Sequence, residues 1–167
     1  MNEVAELAAR LHKILTGTGA TLAVAESCTG GKIAAAITSV PGSSAYFKGG
    51  VVAYANEAKT ALLEVDPELI ERNGAVDAAV AEQMAQGARK AFGASFAVAT
   101  TGIAGPDGGT EEKPVGLVYI ATACPRGADS RRFVFAGDRN QVRIQAAKKA
   151  LEMLLEGFQS AAGAAKT

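Results

Sequence analysis

The sequence predicts a single three-layer α/β domain, a mixed central sheet of about five strands with helices packed against it. Two observations carry that expectation. Segments with apolar residues at helical spacing alternate with short, uninterrupted apolar runs along the chain. The 167 residues contain no internal repeat and no linker-like stretch, so one core is expected.

The elements follow in order. Val4, Leu7, Ala8, Leu11 and Leu15 recur on one face, which predicts a helix over 2–17. Residues 21–25 are a short apolar strand. The glycines after Thr29 open a second helix through Ile37, and the turn residues of 41–44 break the pattern. Residues 51–54 read as the next strand. Asn56 is a candidate cap for a helix over 57–63, and Asp66-Pro67 starts another, with proline at its favoured first position. Asn73-Gly74 ends that piece. Asp77 caps a long helix to about residue 92. Residues 95–100 form an apolar strand, 102–114 a glycine-rich loop, and 116–122 and 132–135 two further strands, close enough in sequence to be a hairpin. Gly137-Asp138 leads into a last helix to about 157. The domain is therefore expected over 1–160, with a frayed tail over 161–167.

Composition excludes several function classes. Seventeen basic residues balance 17 acidic ones, so the chain lacks the basic footprint of a nucleic-acid or membrane-surface binder. No apolar stretch is long enough to span a bilayer, and the acidic N-terminus does not resemble a signal peptide. Cys28 and Cys124 are isolated thiols, as expected in a reducing cytoplasm. The acids are scattered and His12 is the single histidine, so no metal site is expected. His12, in the middle of the first helix, is expected at the surface or an interface. The alanine-rich helices suit a homodimer.

Three loops stand where strands run into helix starts, the usual place for a site in such folds. The first, 25–32, combines Ser27, Thr29, Gly30 and Lys32 after a strand end, a place friendly to anions. It is not a P-loop, since Glu26 stands where the first glycine should be. The second stretch carries Ser43 and Ser44, then Tyr54 and Lys59. A serine needs a base to become a nucleophile. With one histidine, placed mid-helix, a serine-histidine-aspartate triad and a Cys28–histidine dyad are both disfavoured. A lysine whose pKa is lowered by burial can replace histidine. Lys59, beside Ala58, Ala61 and Leu62, either snorkels to solvent or is poised for chemistry. The third loop, with Thr101, Gly102 and Gly105, is dense enough in glycine to approach a ligand closely.

Taken together, AESCTGG (25–31), PGSSAYF (41–47), VVAYANEAK (51–59), GIAGPDGGTEEKPVG (102–116) and GDR (137–139) resemble the CinA C-terminal domain family, over about residues 5–158. Its stand-alone members are nicotinamide mononucleotide amidohydrolases. Some members carry a second, molybdopterin-binding-like domain, which is not expected within these 167 residues.

The resemblance implies hydrolysis of a carboxamide to nicotinate mononucleotide and ammonia, without cofactor or metal. It also implies roles. Ser44 is the expected nucleophile, with Ser43 and Ser27 as alternatives, and Lys59 is its base. Tyr54 supports catalysis. Ser27, Thr29, Gly30, Thr101, Gly102, Gly105 and Arg139 are expected at the substrate, with Arg143 as a substitute for Arg139. The competing expectations are a mononucleotide-binding module without turnover, or a serine amidase for another amide.

Overall fold

The computed structural model describes residues 2–165. Five strands, β1 (Leu22–Glu26), β2 (Phe47–Val52), β3 (Phe96–Gly102), β4 (Leu117–Cys124) and β5 (Gly127–Val134), form one sheet in the order β2-β1-β3-β4-β5. β1 is parallel to β2 and β3, while β4 runs antiparallel to β3 and β5 antiparallel to β4. Six helices cover the sheet: α1 (Glu3–Thr18), α2 (Lys32–Thr38), α3 (Asn56–Leu63), α4 (Pro67–Asn73), α5 (Ala78–Phe92) and α6 (Arg139–Ala165). This is the three-layer mixed-sheet domain that the sequence predicts. Among the described residues no helix is long and apolar enough to cross a membrane.

Strand side chains alternate between faces, and here the two faces differ in size. Leu22, Val24, Val98, Val118 and Ile120 point to one side, where Leu11, Leu15, Ile33, Ile37 and Leu151 of α1, α2 and α6 close over them. Ala23, Ala25, Ala97, Ala99, Ala121 and Ala123 face the other side, under Val80, Met84, Ala85 and Ala88 of α5. The alanines let α5 approach the sheet closely. α5 is crowded on its other side too: a Cβ at Gly87 would lie 1.9 Å from the Leu63 carbonyl oxygen.

The β1–β2 connection passes through α2 on the first face, and the β2–β3 connection through α5 on the second. Loops leaving the carboxyl ends of the parallel strands thus part to opposite sides, which opens a crevice there.

Several boundaries differ from expectation. β2 begins at Phe47, four residues earlier than the apolar run suggests. Its Gly49-Gly50 step hides the strand in the sequence, yet close packing demands it: a Cβ at Gly50 would meet Val24 Cγ2 at 2.3 Å. β5 starts at Gly127 because polar residues such as Asp129 and Ser130 can serve on an edge strand. α2 starts at Lys32, after Gly30 and Gly31 turn with positive φ. The cap of α3 is Ala55, not Asn56, and no side chain caps that end. Asp66 and Asp77 cap α4 and α5 as expected. α6 runs through Ala165, so residues 161–165 of the expected tail are helical, while 166–167 lie outside the described residues. His12 is half-buried against Tyr46, with Nδ1 3.2 Å from the phenolic oxygen.

Candidate active site

At the carboxyl ends of β1 and β3 lies a cleft of about 270 Å³, lined by Ser27, Cys28, Tyr54, Asn56, Lys59, Thr101, the 102–105 segment and Arg139, among others. Ser27 is the first residue after β1, and its N–H donates to the Thr100 carbonyl of β3 (3.1 Å). Its loop is fastened by Glu26. The Glu26 side chain is fully buried, and its two oxygens accept from the Ile33 and Ala34 amides at the start of α2 (3.0 and 3.1 Å). A carboxylate at a helix N-terminus meets free N–H groups and the positive end of the dipole. Thr29 is also fully buried, and its Oγ1 pairs with Thr100 Oγ1 (2.8 Å).

Lys59 reaches the cleft from α3, where it is only 1% exposed. Its Nζ has three partners: the Ala53 carbonyl (2.9 Å), the Tyr54 carbonyl (3.0 Å) and Ser27 Oγ (3.1 Å). Among the described residues no carboxylate lies within ion-pairing distance of it. Burial therefore pushes its pKa below the usual lysine value. A neutral amine has two N–H donors and one lone pair. The two carbonyls can only accept, so they take the two protons. Nζ donates to the Ser27 hydroxyl in the structure, and once the amine has lost a proton its lone pair would face that same hydroxyl, the one partner with a proton to give.

Cys28, next to Ser27, is a poor nucleophile, because burial pushes its thiol up to about 11. Among the described residues its amide, and that of Thr29, makes no backbone–backbone hydrogen bond. An N–H immediately after a serine nucleophile is a natural oxyanion donor. Across the cleft, the Thr101 hydroxyl donates to the Ala75 carbonyl (2.8 Å). Arg139, at the start of α6, donates to the Gly105 carbonyl (2.8 Å) and to the Tyr54 phenolic oxygen (3.0 Å). No carboxylate among the described residues neutralises Arg139.

The structure thus brings Ser27, Tyr54, Lys59, Thr101, Gly102, Gly105 and Arg139 together. It does not bring Ser44 to Lys59. Ser44 lies in a 3₁₀ turn, Ser43–Ala45, before β2. The register Leu22↔Phe47 and Glu26↔Val52 sets that turn at the amino end of the parallel pair, while Ser27 and Lys59 stand at the carboxyl end. Four strand steps separate the two ends, about 13 Å. The serine that meets Lys59 Nζ is therefore Ser27, and Ser44 stands apart from both. Thr29 and Gly30 do not line the cleft either: Thr29 is buried against Thr100, and Gly30 faces Arg143 of α6. Sequence reading missed Asn56, which lines the cleft, and Glu26, which fastens the Ser27 loop to α2. Glu26 carried a signal, an acid inside an apolar strand just before a helix start.

The fold and the site together define an α/β domain that opposes a serine hydroxyl to a buried amine at the ends of parallel strands. The chain belongs to the CinA C-terminal domain family, whose family model matches residues 4–158. It is 48% identical to the nicotinamide-nucleotide amidohydrolase PncC of Escherichia coli, covering 94% of this chain and 96% of that protein. A CinA-like protein of Geobacter is 56% identical over 89% of this chain. The chain spans 36% of that relative's length. The crystal structure of the competence/damage inducible protein CihA of Agrobacterium tumefaciens shares the fold with a TM-score of 0.91. The two are 44% identical, and the match covers 93% of this chain and 96% of that one.

Proposed function

We propose that this protein hydrolyses the carboxamide of nicotinamide mononucleotide to nicotinate mononucleotide and ammonia, with Ser27 as nucleophile and Lys59 as general base. The observation that carries the reading is the buried Lys59 amine, which has two carbonyl acceptors, no carboxylate and the Ser27 hydroxyl at 3.1 Å. Similarity to the E. coli amidohydrolase supports the substrate.

Lys59 takes the Ser27 proton as Oγ attacks the carboxamide carbon. Negative charge gathers on the former carbonyl oxygen, to which the Cys28 amide is assigned as donor; one such donor is commonly worth about 3 kcal/mol. The Lys59 ammonium returns its proton to the departing nitrogen, and ammonia leaves. Water then attacks the acyl-enzyme, again giving a proton to Lys59, and Ser27 is released. Arg139, uncompensated at the mouth of the cleft, is the group suited to the substrate phosphate. Tyr54 orients that guanidinium, and the Thr101 hydroxyl braces the opposite wall.

The free thiols Cys28 and Cys124 support a reducing cytoplasm as the place of action. The expected homodimer belongs to the same proposal and is read by sedimentation velocity. The primary test is ammonia release from nicotinamide mononucleotide by the purified protein. Release with matching formation of nicotinate mononucleotide is expected. Release from a different carboxamide only would replace the substrate, and no release from any would leave a binding module.

A further inference from the structure

The loop that carries Ser27 is gripped from behind by α6. Arg143 donates Nε to the Cys28 carbonyl (3.0 Å) and Nη2 to the Thr29 carbonyl (3.3 Å). It is half-buried, does not line the cleft, and has no carboxylate partner among the described residues. Gly30 is shaped to this contact. Its φ is +58°, and a Cβ there would meet Arg143 Nη2 at 2.7 Å. A side chain at position 30 would therefore be both strained and in the way.

We propose that Arg143 is a positioning residue, which holds the Ser27 loop so that Oγ faces Lys59 and the Cys28 amide faces the developing oxyanion. The inference rests on the Ser27–Lys59 reading above. Its physical basis is a relay of rigid peptide planes. Arg143 fixes the Thr29 carbonyl, and with it the Gly30 N–H at the other edge of the same plane. That N–H donates to the Ser27 carbonyl (3.1 Å). The Ser27 carbonyl shares its plane with the Cys28 N–H, so the aim of this amide is set from α6. The second fork bond fixes the intervening plane through the Cys28 carbonyl. Charge-assisted bonds of this kind are stronger than neutral ones and polarise the chain they end.

The test compares Arg143→Met and Arg143→Lys with wild type in two assays. One is kcat and KM for ammonia release from nicotinamide mononucleotide. The other is the rate at which phenylmethanesulfonyl fluoride captures Ser27, a step in which the Oγ–S bond forms, fluoride leaves and Lys59 takes the proton. Arg143→Met should lower kcat on the order of 10²-fold, as small misplacements of reacting groups do, with KM nearly unchanged and a slower capture. Arg143→Lys keeps the charge but cannot fork over two carbonyls, so it should recover only part of both rates. A raised KM with unchanged kcat would make Arg143 a ligand contact and overturn the proposal. So would wild-type rates in Arg143→Lys, which also serves if Arg143→Met fails to fold. If wild type releases no ammonia yet Ser27 is captured, and captured more slowly in the variants, the substrate reading fails and the positioning role stands. Equal capture in all three proteins would overturn it.

Discussion

At the amino end of the β1–β2 pair, Ser43 and Ser44 precede Tyr46, which meets His12. At the carboxyl end, Ser27 meets Lys59 near Tyr54. Both ends hold a serine, a nitrogen base and a tyrosine, so a residue inventory alone does not separate them. What separates them is how the polar groups are paired. His12 spends its Nδ1 on the Tyr46 hydroxyl, packs edge-on against that ring, and has Gly42 against its other edge. Ser44 is left exposed without a base. At the carboxyl end the Lys59 amine is buried and meets two carbonyls and the Ser27 hydroxyl, with no carboxylate among the described residues to pair it. The Cys28 and Thr29 amides there make no backbone–backbone hydrogen bond among the described residues. A closed polar pair supports the fold, and a buried amine set against a serine hydroxyl without a carboxylate supports chemistry.

The sharpest way to break this comparison is to delete one serine from each end. Ser27→Ala should lower kcat for ammonia release by about 10³-fold or more, since the nucleophile is lost. Ser44→Ala should stay within about threefold of wild type, because surface substitutions are usually small in effect. The reverse ranking would return the nucleophile to the amino end.

Lys59 sharpens it next, through pH. Because burial lowers its pKa, activity should rise with pH through that lowered value, while Lys59→Met stays inactive at every pH. Stability moves with the same group. Below the lowered pKa the folded protein must hold a buried ammonium, which the unfolded chain does not, and this disfavours folding. The penalty fades as pH climbs toward the unfolded value of about 10.4. Urea titrations should therefore show wild type gaining on Lys59→Met as pH rises through that window. A pH-independent gap between them would mean that the amine is not desolvated in solution.

The smallest effect belongs to the amino end. Tyr46→Phe removes the hydroxyl partner of His12 and should cost about 1 kcal/mol in urea denaturation. Its kcat and KM should match wild type. A loss of turnover in folded Tyr46→Phe would show that the amino end takes part in the reaction.

Much of this was legible in the chain itself. Apolar periodicity located α1 and α5, and Asp66 and Asp77 marked the starts of α4 and α5, because capping is a local interaction between a side chain and amides two or three residues on. The strands β1, β3 and β4 were legible as apolar runs because each is buried on both faces. The glycine step in β2 was not, since its reason is the nearness of Val24 in another strand. The polar start of β5 was not either, since only its place at the sheet edge permits it.

The site divides along the same line. That Lys59 could act as a base followed from the scarcity of histidine and the apolar company of the lysine. Which serine it meets did not follow, because Ser44 is 15 residues away in sequence and Ser27 is 32 away. The parallel pairing of β1 with β2 reverses that ranking in space: it carries the loop after β1 and the start of α3 to one end of the sheet and leaves the Ser43–Ala45 turn at the other. Local sequence determined the elements, their caps and the stock of reactive groups, since those depend on neighbours along the chain. The sheet alone decided which groups meet, because strand order and direction join residues that the sequence keeps apart.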